Sequence, residues 1–217
     1  MIKFENVDVV GWENAIRGMR NPMNSWEKSD SKWNYAFAPT YDIGENDLDL
    51  MKRLNKAGTD HRKFMRMIAV YVDITAPLYW WKEFDTYKVG TVANSCSTMH
   101  KIQDKEFTLD DFSHEHLWGN REERDVDETI GMMNMLIDML NFYRIEYLKT
   151  KDKWFWWQMI QLLPSSYNQK RTVMMNYEVL ANIYKSRKNH KLDEWSKGFM
   201  EFIDSLPYCE LIRGDTE

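Results

Sequence analysis

Residues 64–99 read FMRMIAVYVDITAPLYWWKEFDTYKVGTVANSCSTM, and the succession of periods inside this stretch decides the fold class. Phe64 to Ile74 is β-branched and aromatic, with Met65, Met67, Ala69, Tyr71 and Asp73 on one side of a two-residue alternation. That predicts a long strand ending at Thr75-Ala76-Pro77. Pro77 suits the first position of a helix, where a missing N–H is harmless, so a helix is expected over Leu78 to Tyr87. Lys88 to Met99 then turns small and polar, with Gly90, Thr91, Ala93, Asn94, Ser95, Cys96, Ser97 and Thr98. Such a composition lets a backbone approach a ligand closely and marks this turn as the expected pocket wall.

Outward from this run, Ile2 to Val10 alternates apolar and polar and predicts a first strand. Trp12, Ala15, Ile16 and Met19 fall at helical spacing over Gly11 to Met19, a helix that Asn21-Pro22 stops. Asn24 to Thr40 has no clear period and is expected as an ordered loop. Leu48, Met51 and Leu54 predict a short helix over Asn46 to Lys56, with Asn46 as cap. Asp104 to Asp125 is a charged connection with room for a one-turn helix, and Asp127 is placed to cap the next element. Ile130 to Tyr147 is apolar nearly all round, so a central buried helix is expected there. Three more helices are expected: Trp154 to Leu163 before Pro164, Thr172 to Ser186, and Leu192 to Leu206 before Pro207. Two strands with at least six helices define an α+β domain, and no repeat or Gly/Ser linker divides residues 1–217.

The chain of 217 residues carries 43% hydrophobic residues, enough to form a core and to exclude general disorder. Its 15 Met, 10 Trp, 11 Tyr and 10 Phe against 9 Gly and 5 Pro fit packed helices with few tight turns. A net charge of -5 removes the broad positive field that drives nucleic-acid or anionic-lipid binding, so any phosphate is held locally. Two cysteines, Cys96 and Cys209, form no CxxC pair, and a cytoplasmic location is expected. Met1 to Val10 does not read as a secretory leader, and no stretch approaches the roughly 20 apolar residues of a membrane span.

Thr75-Ala76-Pro77-Leu78-Tyr79-Trp80-Trp81 and Asn94-Ser95-Cys96-Ser97-Thr98-Met99 are similar to the lead-in and tail of a known signature. Leu163-Pro164, Tyr167, Asn176, Leu180, Asn182 and Arg187 fall at the spacings of the same family's C-terminal run. With a weaker match around Arg20 to Ser25, these segments resemble the flavin-dependent thymidylate synthases. The resemblance implies their fold, a sheet flanked by helices, and a homotetramer whose subunits share each site. It implies FAD, dUMP and methylenetetrahydrofolate, with NADPH as reductant, and reductive methylation of the pyrimidine. By the same resemblance Arg187 polarises the base and acts with Ser97. Asn94, Ser97, Arg187 and Lys88 contact the nucleotide, and Asn176, Asn182, Tyr87, Arg66 and Ser25 contact the flavin. Asn176 and Asn182 equally suit helix capping or core hydrogen bonding, and Arg187 an ion pair with Asp193 or Glu194.

The departures from the pattern are as informative as the matches. Asp85, Thr86, Tyr87 and Lys88 stand where the family has Arg-His-Arg, and Ser95 where it has Glu. Two phosphate-binding arginines fall on Met99 and Ile160, a third arginine on Glu178, and a flavin-contacting histidine on Lys191. Each charge-assisted hydrogen bond is worth about 1.5 to 3 kcal/mol, so two lost arginines weaken nucleotide binding by about two to four powers of ten. Lys88, His100, Lys101, Lys185 and Lys188 are the candidates to compensate, each equally an ordinary solvated charge. A relative that has lost catalysis and serves as a nucleotide-binding or interaction module is the alternative these losses favour. His114-Glu115-His116 invites a metal but offers no third ligand. Cys96, with no paired His, is expected as a buried small residue, and Trp154 to Trp157 as core or subunit interface.

Overall fold

The computed structural model describes residues 2–117 and 128–214. The expected cap Asp127 and part of the Asp104 to Asp125 connection lie outside the described residues. The strands are β1 (Lys3–Val10), β2 (Lys32–Asn34), β3 (Thr40–Asp42), β4 (Ala69–Pro77), β5 (Thr91–Ser95) and β6 (Asn168–Asn176). The helices are α1 (Trp12–Arg20), α2 (Glu45–Lys56), α3 (Leu78–Phe84), α4 (Thr98–Lys101), α5 (Glu128–Thr150), α6 (Lys153–Leu162), α7 (Tyr177–Arg187), α8 (Met200–Ser205) and α9 (Glu210–Arg213). One sheet runs in the order β1-β4-β6-β5, and β2 pairs antiparallel with β3. The expected α+β class stands, with more strand than the sequence periods show.

The described chain forms two compact units. The first comprises residues 74–86 and 94–171 with the N-terminal tip, and the second residues 4–73, 87–93 and 172 onward. In the first, α5 packs along α6, and Ile137, Leu140 and Met159 close a core with Ile102, Phe107 and Phe112. Trp80, Trp81 and Phe84 of α3 are buried, and Trp81 Nε1 donates to the Gln169 carbonyl at 2.9 Å.

In the second unit β4 buries Val70 and Val72 and leaves Tyr71 exposed. The face expected to be shared by Met65, Met67, Ala69, Tyr71 and Asp73 is therefore the outer one. The strand also starts later than expected, because Lys63–Met67 is a 3₁₀ turn that buries both Phe64 and Met65. Consecutive buried residues fit a turn, not an alternating strand. This turn packs on α1 and fixes the entry to it: Gly11 has φ +97°, and a Cβ there would stand 2.2 Å from the Met67 carbonyl oxygen. Only glycine meets both conditions. Across β1, β4 and β6, Asn6 Nδ2 and Thr172 Oγ1 both donate to Asp73, at 2.9 and 2.6 Å.

Asn24 to Thr40 is less irregular than expected, since it holds a 3₁₀ turn at Trp26–Lys28 and the first strand of the β2–β3 hairpin. Its anchor is Asp47, fully buried on α2, which accepts from Arg20 Nε at 2.6 Å, Ser29 Oγ at 2.7 Å and Ser31 Oγ at 2.6 Å. Burial pushes the Asp47 carboxyl up, but the hydrogen bonds from Ser31, Ser29 and Arg20 outweigh it and hold the group below its ordinary value. Asn46 is not the cap of α2. The helix starts at Glu45, and Asp30 from the loop accepts from the backbone N–H groups of Asn46 and Asp47 at 3.0 and 3.2 Å.

Two helix expectations change. Thr172 to Ser186 is not one helix: β6 continues to Asn176, and α7 begins at Tyr177. Asn176 therefore precedes the helix instead of sharing it with Asn182. Leu192 to Leu206 divides into a wider π turn over Glu194–Phe199 and the short α8.

The expected central buried helix is α5, yet only one side of it is covered. Met132 is 70% and Met135 69% exposed, and Met139, Phe142, Ile145 and Leu148 continue the same stripe. The helix packed along it, α6, has 10 residues against its 23, too few to cover an all-apolar surface. Among the described residues no helix is long and apolar enough to cross a membrane.

Candidate functional site

The site residues expected from sequence fall into two groups, one in each unit. In the first unit β6 runs beside β5 and fastens the turn after it. Cys96 N–H donates to the Lys170 carbonyl at 2.9 Å, and Gln169 Nε2 donates to the Cys96 carbonyl at 3.0 Å and to Thr98 Oγ1 at 3.1 Å. Trp156 Nε1 donates to the Met99 carbonyl at 3.2 Å. Ser97 starts α4, its Oγ accepting from His100 N–H at 3.2 Å. Held this way, Ser95 to Met99 forms one wall of a cavity of about 440 Å³, which Leu78, Ile160, Leu163 and Gln169 complete.

Of the stretch Lys88 to Met99 expected as a pocket wall, Ser95 to Met99 lines this cavity, Ser97 included, and Lys88 to Asn94 do not. Asn94 is exposed one residue before the lining begins. Cys96 is exposed and not the buried small residue expected, because it lies on the turn just beyond β5, in the wall of an open cavity. Met99 and Ile160, where the resembled family places phosphate-binding arginines, stand in the same cavity wall. Among the described lining residues none is cationic.

In the second unit Arg187 closes α7 and reaches Tyr87, its Nε donating to the phenol oxygen at 2.9 Å. Its guanidinium also sits 5.1 Å from the ring centre of Trp195 and 5.7 Å from that of Tyr87. The buried Trp195 fixes the pair, since its ring lies 6.2 Å from that of Tyr87. Gly90 comes close beneath: a Cβ there would stand 2.9 Å from the Asn176 amide nitrogen, on a φ of +79°. Asn176 Oδ1 accepts from Val179 N–H at 3.0 Å, so the side chain caps α7.

Asn182 and Lys88 are exposed, and Arg66 is exposed on the 3₁₀ turn that packs against α7. Ser25 is buried, and its hydroxyl and carbonyl oxygens accept from Arg20 at 3.4 and 3.3 Å. The tests for a flavin therefore divide. Arg66 and Asn182 offer a cation and an amide to solvent, which suits a diphosphate and ring carbonyls. Ser25 is already spent inside the Arg20–Asp47 network and does not fit a ligand contact.

Sequence reasoning passed over three partners. Arg62 pairs with Glu178 at 2.9 Å, so the reversed charge at Glu178 meets a cation 116 residues earlier in the chain. Arg171 lies 4.2 Å over the Trp81 ring and pairs with Asp85 at 2.7 Å. Gln169 fastens the cavity turn. No local pattern marks the long-range pairs, whereas a strand assignment for 168–176 would have placed Gln169 and Arg171 on one face of it. His114 Nδ1 lies 2.8 Å from the Phe112 carbonyl oxygen.

The architecture is the fold of the flavin-dependent thymidylate synthases, a class of α+β proteins. Two solved structures of ThyX, the flavin-dependent thymidylate synthase from Helicobacter pylori, both complexed with FAD and dUMP, are similar to the chain. One has a TM-score of 0.65 at 17% identity over 97% of this chain and 98% of that one. The other has a TM-score of 0.67 at 15% identity over 99% and 98%. No family model matches the sequence, and no curated protein matches it.

Proposed function

We propose that the chain is a divergent enzyme of the flavin-dependent thymidylate synthase type, which reductively methylates a pyrimidine, dUMP or a relative of it. The observation that carries this is the cavity of the first unit. Ser95 to Met99 and Ile160 to Leu163, more than sixty residues apart in sequence, belong to separate segments of the resemblance and close around one space. The solved structures of like fold hold FAD and dUMP.

In this proposal Ser97 lines the nucleotide's pocket and Asn94 flanks it, while Arg187, steadied by Tyr87 and Trp195, polarises a pyrimidine carbonyl. Lys88 supplies an exposed positive charge. Asn182 and Arg66 address the flavin, as does Asn176 through the amide left free by its cap. FAD supplies the hydride chemistry when bound, with NADPH as its reductant and methylenetetrahydrofolate as one-carbon donor. Protein reconstituted with FAD is expected to keep a visible flavin band after gel filtration. Reduced anaerobically, it is expected to be reoxidised on adding dUMP and methylenetetrahydrofolate. Colourless protein after FAD soaking overturns the proposal.

A second reading has its own support. Ser97 and Asn176 are both used as helix caps, and Met99 and Ile160 replace cations in the cavity wall. These favour a relative that binds a nucleotide or flavin without turnover. Flavin retention with no pyrimidine-dependent reoxidation identifies that case.

A further inference from the structure

The second unit holds a cavity of its own, between the turn that follows α2 and the helices α7 and α9. We infer that it binds the diphosphate group of a nucleotide, an inference independent of the function proposed above. Four residues of its wall are cationic, Arg62, Lys185, Lys188 and Arg213, and among the described lining residues none is acidic. On a chain of net charge -5 this is a local concentration of positive charge, the form in which such a chain can hold phosphate. Its volume of about 290 Å³ falls at the small end of ligand sites, roughly 300 to 1,000 Å³, and suits the phosphates of a nucleotide more than the whole molecule.

The two arginines are held in place. Arg62 Nη1 donates to Asn55 Oδ1 at 3.3 Å, and its Nη2 and Nε meet Glu178 at 3.1 and 2.9 Å. Asn55 is buried, and its Nδ2 donates to the Leu211 carbonyl at 2.8 Å, which ties α2 to α9 beside the cavity. Arg213 pairs with Asp204 at 2.9 Å, and Glu210 of α9 with Lys52 at 3.7 Å, so the carboxylates on these elements are matched. The lysines differ. Both are exposed, and among the described residues neither pairs with a carboxylate. Three residues apart on α7, they share one face, and Lys188 Nζ stands 5.4 Å from the ring centre of Tyr184 in the same wall. Two neighbouring ammonium groups repel each other, and an anion between them relieves the repulsion. The diphosphate of a nucleotide ester carries about two negative charges, one for each lysine. The Thr59 hydroxyl and the guanidinium N–H groups left over from the ion pairs are its further donors.

The full chain, with Asp215 and Glu217 that lie outside the described residues, is titrated with inorganic pyrophosphate and with orthophosphate by isothermal calorimetry at low salt. Pyrophosphate is expected to bind about tenfold or more tightly than orthophosphate. Lys185→Gln combined with Lys188→Gln is expected to weaken pyrophosphate binding about tenfold and, because both side chains are exposed, to leave the melting temperature nearly unchanged. Lys149→Gln combined with Lys197→Gln removes the same charge from exposed positions elsewhere and is expected to leave pyrophosphate binding as it was. No pyrophosphate binding at millimolar concentration, or an equal loss in the two double variants, overturns the inference. Repeating the titration on chain loaded with FAD separates the sources of the ligand. If FAD excludes pyrophosphate, and the Lys185 and Lys188 variant also weakens FAD, the site takes the flavin's own diphosphate. If both bind together, it takes that of a second nucleotide. Chain that binds pyrophosphate and stays colourless after FAD soaking keeps this site and overturns the proposed function alone.

Discussion

Arg20 and Asp47 are both shut away from solvent, at 4% and 0% exposure, and neither can lose its partner cheaply. Removing one member of a buried ion pair strands the other, at about 3 to 5 kcal/mol. Arg20→Ala is therefore expected to lower the melting temperature sharply and to release the 24–31 loop to proteolysis. The Asp47 carboxyl sits below its ordinary value in the folded chain, so its contribution is complete above the unfolded value near 4. It is lost as pH falls through the folded value. Denaturant titrations between pH 7 and pH 3 are expected to show this decline in the wild type and a shallower one in Asp47→Asn. Exposed residues offer the opposite test. Arg66→Ala and Asn182→Ala remove side chains that meet solvent, so unfolding free energies should change by no more than about 0.5 kcal/mol. FAD affinity measured by fluorescence quenching is expected to fall in both. Unchanged affinity in the two variants removes these residues from the flavin's surroundings.

At the scale of elements, α7 shows what the sequence disclosed and what it withheld. Leu180 and Ile183 are buried as helical spacing predicts, and Arg187 closes the helix near the expected end. The helix starts five residues later than its spacing predicts, because Val173 and Met175 alternate over too short a run to separate a strand from a helix. Pairing within the sheet settles the matter, and no local propensity encodes it. The same limit hid the 3₁₀ turn at Lys63–Met67, where Phe64 and Met65 are both apolar because both are buried. The polar stretch Lys88 to Met99 was legible as a pocket wall from composition, but only its end, Ser95 to Met99, lines the cavity. Its partners across the cavity were legible only through resemblance, since contacts between residues sixty apart leave no period. Asn176 now has a definite structural role that can be separated from a ligand role. Asn176→Ala is expected to cost about 1 kcal/mol as a lost cap, and Asn176→Asp to restore that stability. If flavin binding is lost in both, the amide serves the ligand as well as the helix.

At the scale of the whole molecule, the sequence announced that α5 is apolar nearly all round and could not say what covers it. Within the chain α6 covers one side. Met132, Met135, Met139, Phe142, Ile145 and Leu148 recur every three or four residues on the other, with Trp154 and Trp157 exposed on α6. A contiguous apolar stripe on a chain of net charge -5 is unfavourable in water and favourable between identical surfaces, where each copy covers the other's. We therefore propose that α5 is a self-association face, one of the interfaces that the homotetramer implied by the resemblance requires. Light scattering on a sizing column is expected to give a mass four times that of the chain at micromolar concentration. Met135→Glu places a charge at the middle of the stripe, where it is solvated in a free chain and desolvated in an assembly. It should therefore break the assembly without harming the fold. The expected result is a smaller species whose far-ultraviolet circular dichroism matches the wild type. A wild-type chain that stays monomeric at these concentrations, or a Met135→Glu variant that keeps the full mass, removes α5 from the interface.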